Sequence, residues 1–168
     1  MDKIVFATTN AGKIKEIKEI LSDFDVEVAS MKEMNITADI EENGATFEEN
    51  SLIKARAVSK LTGLPALADD SGLEVDYLNG EPGIYSARYL GRDTDYDYKN
   101  NYIIDKLKEA KGEERSARFV CVISLVLPDG REFVKKGVME GRIGYEIKGE
   151  NGFGYDPIFF LPEYGKTS

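Results

Sequence analysis

The sequence predicts an α/β domain built on a mixed β-sheet flanked by helices. Two observations set the class: a short apolar run passes directly into an amphipathic helix at the N-terminus, and two strand-like runs in the second half are joined by a Pro-Asp-Gly turn. A third sets the scale, because 168 residues with 42% hydrophobic content suffice for one well-cored domain and not for two.

Taken in order, residues 3–7 (KIVFA) read as a buried strand, and Ile14, Ile17, Ile20 and Leu21 recur at helical spacing over residues 11–21. Residues 25–29 suit a second strand. A helix over 46–62 opens at "TFEE", a capping box with Thr46 as cap and Glu49 reaching back. "LPALADDSGLEVDYL" reads as a strand ending at two aspartates and followed by another strand. Ile103, Ile104 and Leu107 mark a helix over 95–110. "ARFVCVISLVLPDGREFVKKGVMEGRI" then gives the hairpin, its turn at Pro128, Asp129 and Gly130. The loop "KGENGFGYDP" stands apart, since its glycines permit close backbone approach.

Composition narrows the chemistry. Histidine is absent, which removes Ser-His and Cys-His nucleophile pairs and every imidazole metal site, leaving carboxylates, lysines and hard metals. The single cysteine, Cys121, lies in an apolar run and is expected as a buried structural thiol; one cysteine makes no disulfide within the chain. A net charge of -9 argues against a nucleic-acid partner. There is no charged-then-apolar leader and no apolar stretch of about 18 residues, so a soluble cytoplasmic chain without membrane contact is expected.

Three clusters carry candidate chemistry. "ATTNAGK" places Thr8, Thr9, Asn10, Ala11, Gly12 and Lys13 where a strand-to-helix loop offers free N–H groups and the positive end of a helix dipole to an anion. It is not a Walker loop, having one glycine and shorter spacing. Helix capping by Asn10 with a solvated Lys13 is the plainer reading of the same residues. "EENGATFEENSLIKA" sets Glu41 and Glu42 before a helix that carries Asn50 and Lys54 on one face, where a solvated acidic helix start is the plainer alternative. In "ALADDSG", strand alternation puts Ala66, Ala68 and Asp70 on one face and Leu67, Asp69 and Ser71 on the other, so regular geometry aims only one aspartate into a given site. Together the clusters supply an anion cradle, hard-metal carboxylates and lysines, the requirements for magnesium-dependent chemistry on a phosphate chain. Spacing alone names neither the base nor the bond cut.

"TTNAGK", "ENGATFEENSLIKA", "ALADDSGL", "PGIYSAR" and "GFGYDPIF" stand in the order and spacing of the inosine triphosphate pyrophosphatase family, the noncanonical purine NTP pyrophosphatases, which the chain resembles over residues 3–166. The resemblance implies an elongated mixed sheet, two lobes with an active-site cleft between them, a homodimer, and Mg2+-dependent hydrolysis of ITP, dITP or XTP to the monophosphate and pyrophosphate. It assigns the phosphates to Thr8, Thr9, Asn10, Ala11, Gly12 and Lys13, with Lys54 also on the phosphate chain. Asp70 becomes proton acceptor and metal ligand, and Glu42 the metal-side glutamate. Ser71 contacts substrate, Arg88 lies on the phosphate or cleft side, and Phe153, Gly154, Tyr155 and Asp156 form the base pocket with Phe153 stacked on the purine. Family members continue past "EYGKTS" into a helix and a Ser-His-Arg motif, where this sequence stops at Ser168. Either a truncated chain or weakened base discrimination is expected from that. Two other readings are a Maf-type nucleotide pyrophosphatase, against which the "GFGYDPIF" loop weighs, and a nucleotide-binding module without turnover.

Overall fold

The first βα unit forms as its pattern dictates. In this computed structural model, which describes residues 2–91, 93–149 and 154–168, β1 (Asp2–Phe6) leads into α1 (Ala11–Ile20). Asn10 caps α1, its side chain accepting the Lys13 N–H at 3.1 Å. The apolar stripe of α1 is thinner than expected: Ile14 and Ile17 are half-buried, whereas Ile20 is 65% exposed because the helix ends there and the half-buried Leu21 closes the turn. β2 (Val26–Ser30) then pairs parallel with β1.

α2 (Phe47–Thr62) starts on Thr46, whose hydroxyl accepts the Glu49 N–H at 3.1 Å. Glu49 reaches back one residue further than the sequence suggests, to the Ala45 N–H at 2.6 Å. The chain enters past Gly44, where an added Cβ would lie 2.7 Å from Glu49 Cβ, and this tight approach presents the Ala45 amide to the carboxylate. Ala55 and Val58 of α2 share a core with Val5, Ala7, Met31, Ala66 and Ala68. β3 (Ala66–Val75) is one unbroken ten-residue strand where a break after the aspartates was expected. Asp69 and Asp70 are only 6% and 7% exposed, and partners from α1 and α2 let the ladder run on through them.

α3 (Tyr96–Lys106) is capped by Asp95 and stops short of the expected end near residue 110. The Arg115 guanidinium captures the carbonyls of Leu107 and Ala110 and ends the helix there. β4 (Ser116–Val126) and β5 (Glu132–Ile143) follow the predicted pattern, their turn closed by Gly130 N–H on Leu127 O at 3.0 Å with Gly130 at φ 94°. Val120 and Val122 fill the buried face of β4, so Cys121 on the other face is half-buried and not the closed-in thiol expected. β6 (Phe159–Leu161) pairs antiparallel with β5 and with β7 (Lys166–Thr167), both too short to show a sequence period.

The seven strands form one sheet in the order β2-β1-β3-β4-β5-β6-β7, parallel at β2-β1-β3 and antiparallel at β5-β6-β7, so the predicted mixed sheet is present. The chain divides into two compact units, Met1–Asp70 with Cys121–Lys136, and Ser71–Val120 with Gly137–Ser168. The core of the second gathers Leu73, Val75, Ile103, Leu107, Ile143, Ile158 and Phe159. No described helix is long and apolar enough to cross a membrane.

Candidate active site

Within the first unit, three elements aim charge at the middle of β3. Alternation along the strand separates its two aspartates: Asp70 shares the face of Ala66 and Ala68 that packs on α2, while the Asp69 carboxylate meets Lys13 of α1 at 2.8 Å. Lys54 of α2 donates to the Asp69 main-chain carbonyl and pairs with Glu42 at 2.7 Å. Asn50, one turn before Lys54 and fully buried, accepts the Gly44 N–H at 2.8 Å through Oδ1, which turns its amide nitrogen the other way. That Nδ2 and the buried Asp70 Oδ2 both lack a hydrogen-bond partner.

The electrostatics follow from this packing. Burial pushes the Asp70 carboxyl up to about 6, and Glu42 adds to the rise against the opposing pull of the Lys54 and Lys13 charges. Burial acts to lower Lys13, yet Asp69 beside it, with smaller help from Asp70 and Cys121, holds its pKa above the usual lysine value. Two ammonium groups here face three carboxylates, leaving the cluster net negative. As it stands it repels a phosphate chain; a dication reverses the sign.

The loop before α1 supplies the neutral donors. Thr8 Oγ1 accepts the Asn10 N–H at 3.2 Å, Asn10 occupies the Lys13 N–H, and the Ala11 and Gly12 N–H groups have no acceptor among the described residues. Both residues are exposed at the positive end of α1.

The remaining predicted residues belong to the second unit. Ser71 is half-buried on β3, and the Arg88 guanidinium lies 5.0 Å from the Tyr85 ring centroid. Tyr155 is closed into the core, its hydroxyl donating to Ser86 O at 2.7 Å and its ring meeting Tyr96 edge-on at 5.2 Å. Gly154 sits at φ 63° with its carbonyl held by Asn100 Nδ2 at 3.1 Å, and Asp156 accepts the Ser168 hydroxyl at 2.8 Å. Phe153 lies outside the described residues. Sequence reasoning passed over Asn50 as a ligand-side group, and over Lys99 and Asn100. The signal was present, since Lys99 and Asn100 stand four and three residues before Ile103, on the stripe that the α3 apolar period buries.

The Ham1 family profile matches residues 4–168. This chain belongs to the Ham1 family. Among its Ham1 relatives, the dITP/XTP pyrophosphatase of Clostridium perfringens is 49% identical over 99% of this chain and 85% of its own length. That of Thermus thermophilus is 52% identical over 98% of this chain and 79% of its own. The Ham1 protein of Coxiella burnetii superposes with TM-score 0.92 at 43% identity, covering 99% of this chain and 85% of that one. The Staphylococcus aureus Ham1 protein superposes with TM-score 0.88 at 46% identity. The mixed sheet is thus the Ham1 fold.

Proposed function

We propose that the chain is a nucleoside-triphosphate pyrophosphatase that hydrolyses noncanonical purine nucleotides, dITP, ITP and XTP, to the monophosphate and pyrophosphate, acting as a cytoplasmic homodimer that clears them from the nucleotide pool. The relatives' names support the substrate class, and one feature of the chain supports the chemistry. Asp70 is a buried carboxylate with an orphan oxygen, poised near neutrality between two ammonium groups.

The donor set fits Mg2+. Magnesium needs only one or two carboxylates when phosphate oxygens complete its shell, and among the described residues no three acidic, cysteine or histidine side chains are arranged to hold a metal by themselves. Asp70 and Glu42 would hold it, and when bound it supplies positive charge at the phosphates and acidifies a water. The chain's own residues do the rest. Ala11 and Gly12 N–H groups and the start of α1 bind the phosphate chain. Asp70 accepts the proton of the water that attacks the α-phosphorus, the α–β anhydride bond breaks, and Lys13 and Lys54 offset the charge left on pyrophosphate. Ser71 and Arg88 contact the substrate, and the segment of Phe153, Gly154, Tyr155 and Asp156 holds the base.

The test is product analysis with and without Mg2+ across ITP, XTP, dITP, GTP, ATP and dTTP. Pyrophosphate release that needs the metal and favours the 6-keto purines is expected. Release of inorganic phosphate, or a preference for dTTP, would overturn the reading in favour of another hydrolase; tight binding without turnover would leave a nucleotide-binding module.

A further inference from the structure

Near its start, α3 buries two polar side chains in succession. Lys99 and Asn100 are each 1% exposed, on the stripe that carries Ile103, and both weaken the packing there. Burial lowers the pKa of the Lys99 ammonium, and the Asn100 Oδ1 lacks a hydrogen-bond partner. Apolar side chains at these two positions would extend the core, so the stability of α3 accounts for neither residue.

What they hold accounts for them. Lys99 Nζ donates to Ala87 O at 2.9 Å. Asn100 Nδ2 donates to Gly154 O at 3.1 Å, which also fixes the orientation of the amide, because the reverse would set oxygen against oxygen. The Tyr155 hydroxyl donates to Ser86 O at 2.7 Å, and the Ser86 hydroxyl accepts the Leu73 N–H of β3 at 2.9 Å. The carbonyls of Ser86, Ala87 and Gly154 are thus each held by a side chain, and Ser86 pins the set to β3. Arg88 follows the first two carbonyls directly, and Tyr155 and Asp156 follow the third, so two segments assigned above to the substrate are tied to each other within the second unit.

Gly154 is where such a hold matters most. At φ 63° it lies in the left-handed region, and glycine has more backbone freedom than any other residue, so its peptide plane turns easily unless a partner fixes the carbonyl. A Cβ added there would lie 3.6 Å from the Tyr96 ring, an ordinary contact, so packing leaves room and the hydrogen bond sets the orientation.

We propose that Asn100 and the Tyr155 hydroxyl are positioning groups of the nucleotide site, holding the backbone of the base-binding segment at Gly154 in fixed relation to the segment from Ser86 to Arg88. The inference rests on the pyrophosphatase reading above and uses neither Asp70 nor the loop before α1, which belong to the first unit. It calls for a split between the two ends of the nucleotide, read by calorimetry on the full chain with Mg2+, using inosine monophosphate and tripolyphosphate as separate probes. Asn100→Leu and Tyr155→Phe should each weaken inosine monophosphate roughly tenfold, the order of one lost buried hydrogen bond, and leave tripolyphosphate within about twofold. A general loss of folded protein moves both probes together, and urea unfolding of each variant checks for it. Tyr155→Phe removes one oxygen and keeps the ring, so it decides the question by itself where Asn100→Leu fails to fold. Equal weakening of both probes, or unchanged affinity for inosine monophosphate in a folded variant, overturns the proposal. Pyrophosphate release from ITP by the parent decides the reaction separately: a parent that binds inosine monophosphate but releases none overturns the reaction and leaves the split to decide this proposal, whereas a parent with no affinity for inosine monophosphate overturns both.

Discussion

Both units draw cations inward, half-buried in the first and fully buried in the second, and they hold them by opposite means. In the first, Lys13 and Lys54 face carboxylates, Asp69 at 2.8 Å and Glu42 at 2.7 Å. In the second, Arg115 and Lys99 are 2% and 1% exposed and are held by main-chain carbonyls: Arg115 by Ile143, Leu107, Ala110 and Gly144, Lys99 by Ala87 with the Tyr96 ring 4.6 Å away. Burial lowers both of those pKa values, whereas Asp69 raises that of Lys13. A carboxylate can exchange its ammonium for a metal, and the ammonium its carboxylate for a phosphate; a carbonyl that ends a helix has no such second partner. The first arrangement stores charge that a ligand can redistribute, and the second fixes backbone.

Asp70→Asn breaks the first arrangement at its centre. It should lower turnover about a thousandfold, the usual worth of a positioned general base, while leaving nucleotide affinity within an order of magnitude by calorimetry. Asp69→Asn, on the opposite strand face, should be milder, and near-normal turnover in the Asp70 variant would remove it as the base. Arg115→Met breaks the second arrangement. It should cost at least ~3 kcal/mol in urea unfolding because four buried carbonyls lose a charged donor, yet leave kcat/KM for ITP nearly unchanged where the protein remains folded.

Lys13→Ala sharpens the contrast between the two kinds of cation. It should raise KM for the triphosphate and lower kcat, together by roughly a hundredfold in kcat/KM, since in the proposed mechanism the charge it offsets grows in the transition state. Affinity for the bare nucleoside should hardly move; an equal loss for inosine and ITP would make Lys13 a structural cation like Lys99.

The smallest effect is on stability against pH in metal-free buffer. The folded Asp70 carboxyl titrates at about 6 against 3.8 for an ordinary aspartate, so the native chain binds its proton more tightly than the unfolded chain. Its stabilising contribution is therefore complete below 3.8 and is lost as pH rises through about 6. Asp70→Asn, which does not titrate, should melt higher than the parent at pH 7, by up to ~3 kcal/mol, and the gap should close toward pH 4. A constant gap across that range would mean that Asp70 is not desolvated in solution.

Much of this was legible because it is local. The Asn10 and Thr46 caps and the Gly130 turn follow from residues within a few positions of one another. What escaped depends on partners distant in sequence. The aspartates read as a strand end until Lys13 and Lys54 arrive from other elements, and α3 reads four residues longer until Arg115 reaches back to residues 107 and 110. Asp70 was the aspartate picked out by alternation together with the family motif, and the structure places it beside α2 as that alternation requires. The ion pair of its neighbour was not foreseen, because alternation says where a side chain points and not what stands there.

That pair has a consequence for how a catalytic cycle closes. Pyrophosphate, the more highly charged product, clings to whatever cations helped expel it. Asp69 stands 2.8 Å from the Lys13 ammonium as a tethered rival for the same charge, always at hand and never diluted. In the proposed reaction the carboxylate would reclaim the lysine each time product loosens and block its return, so Asp69 would act as an internal eluent. Asp69→Asn should therefore bind pyrophosphate more tightly and suffer stronger product inhibition than the parent, even where its first turnover is unimpaired.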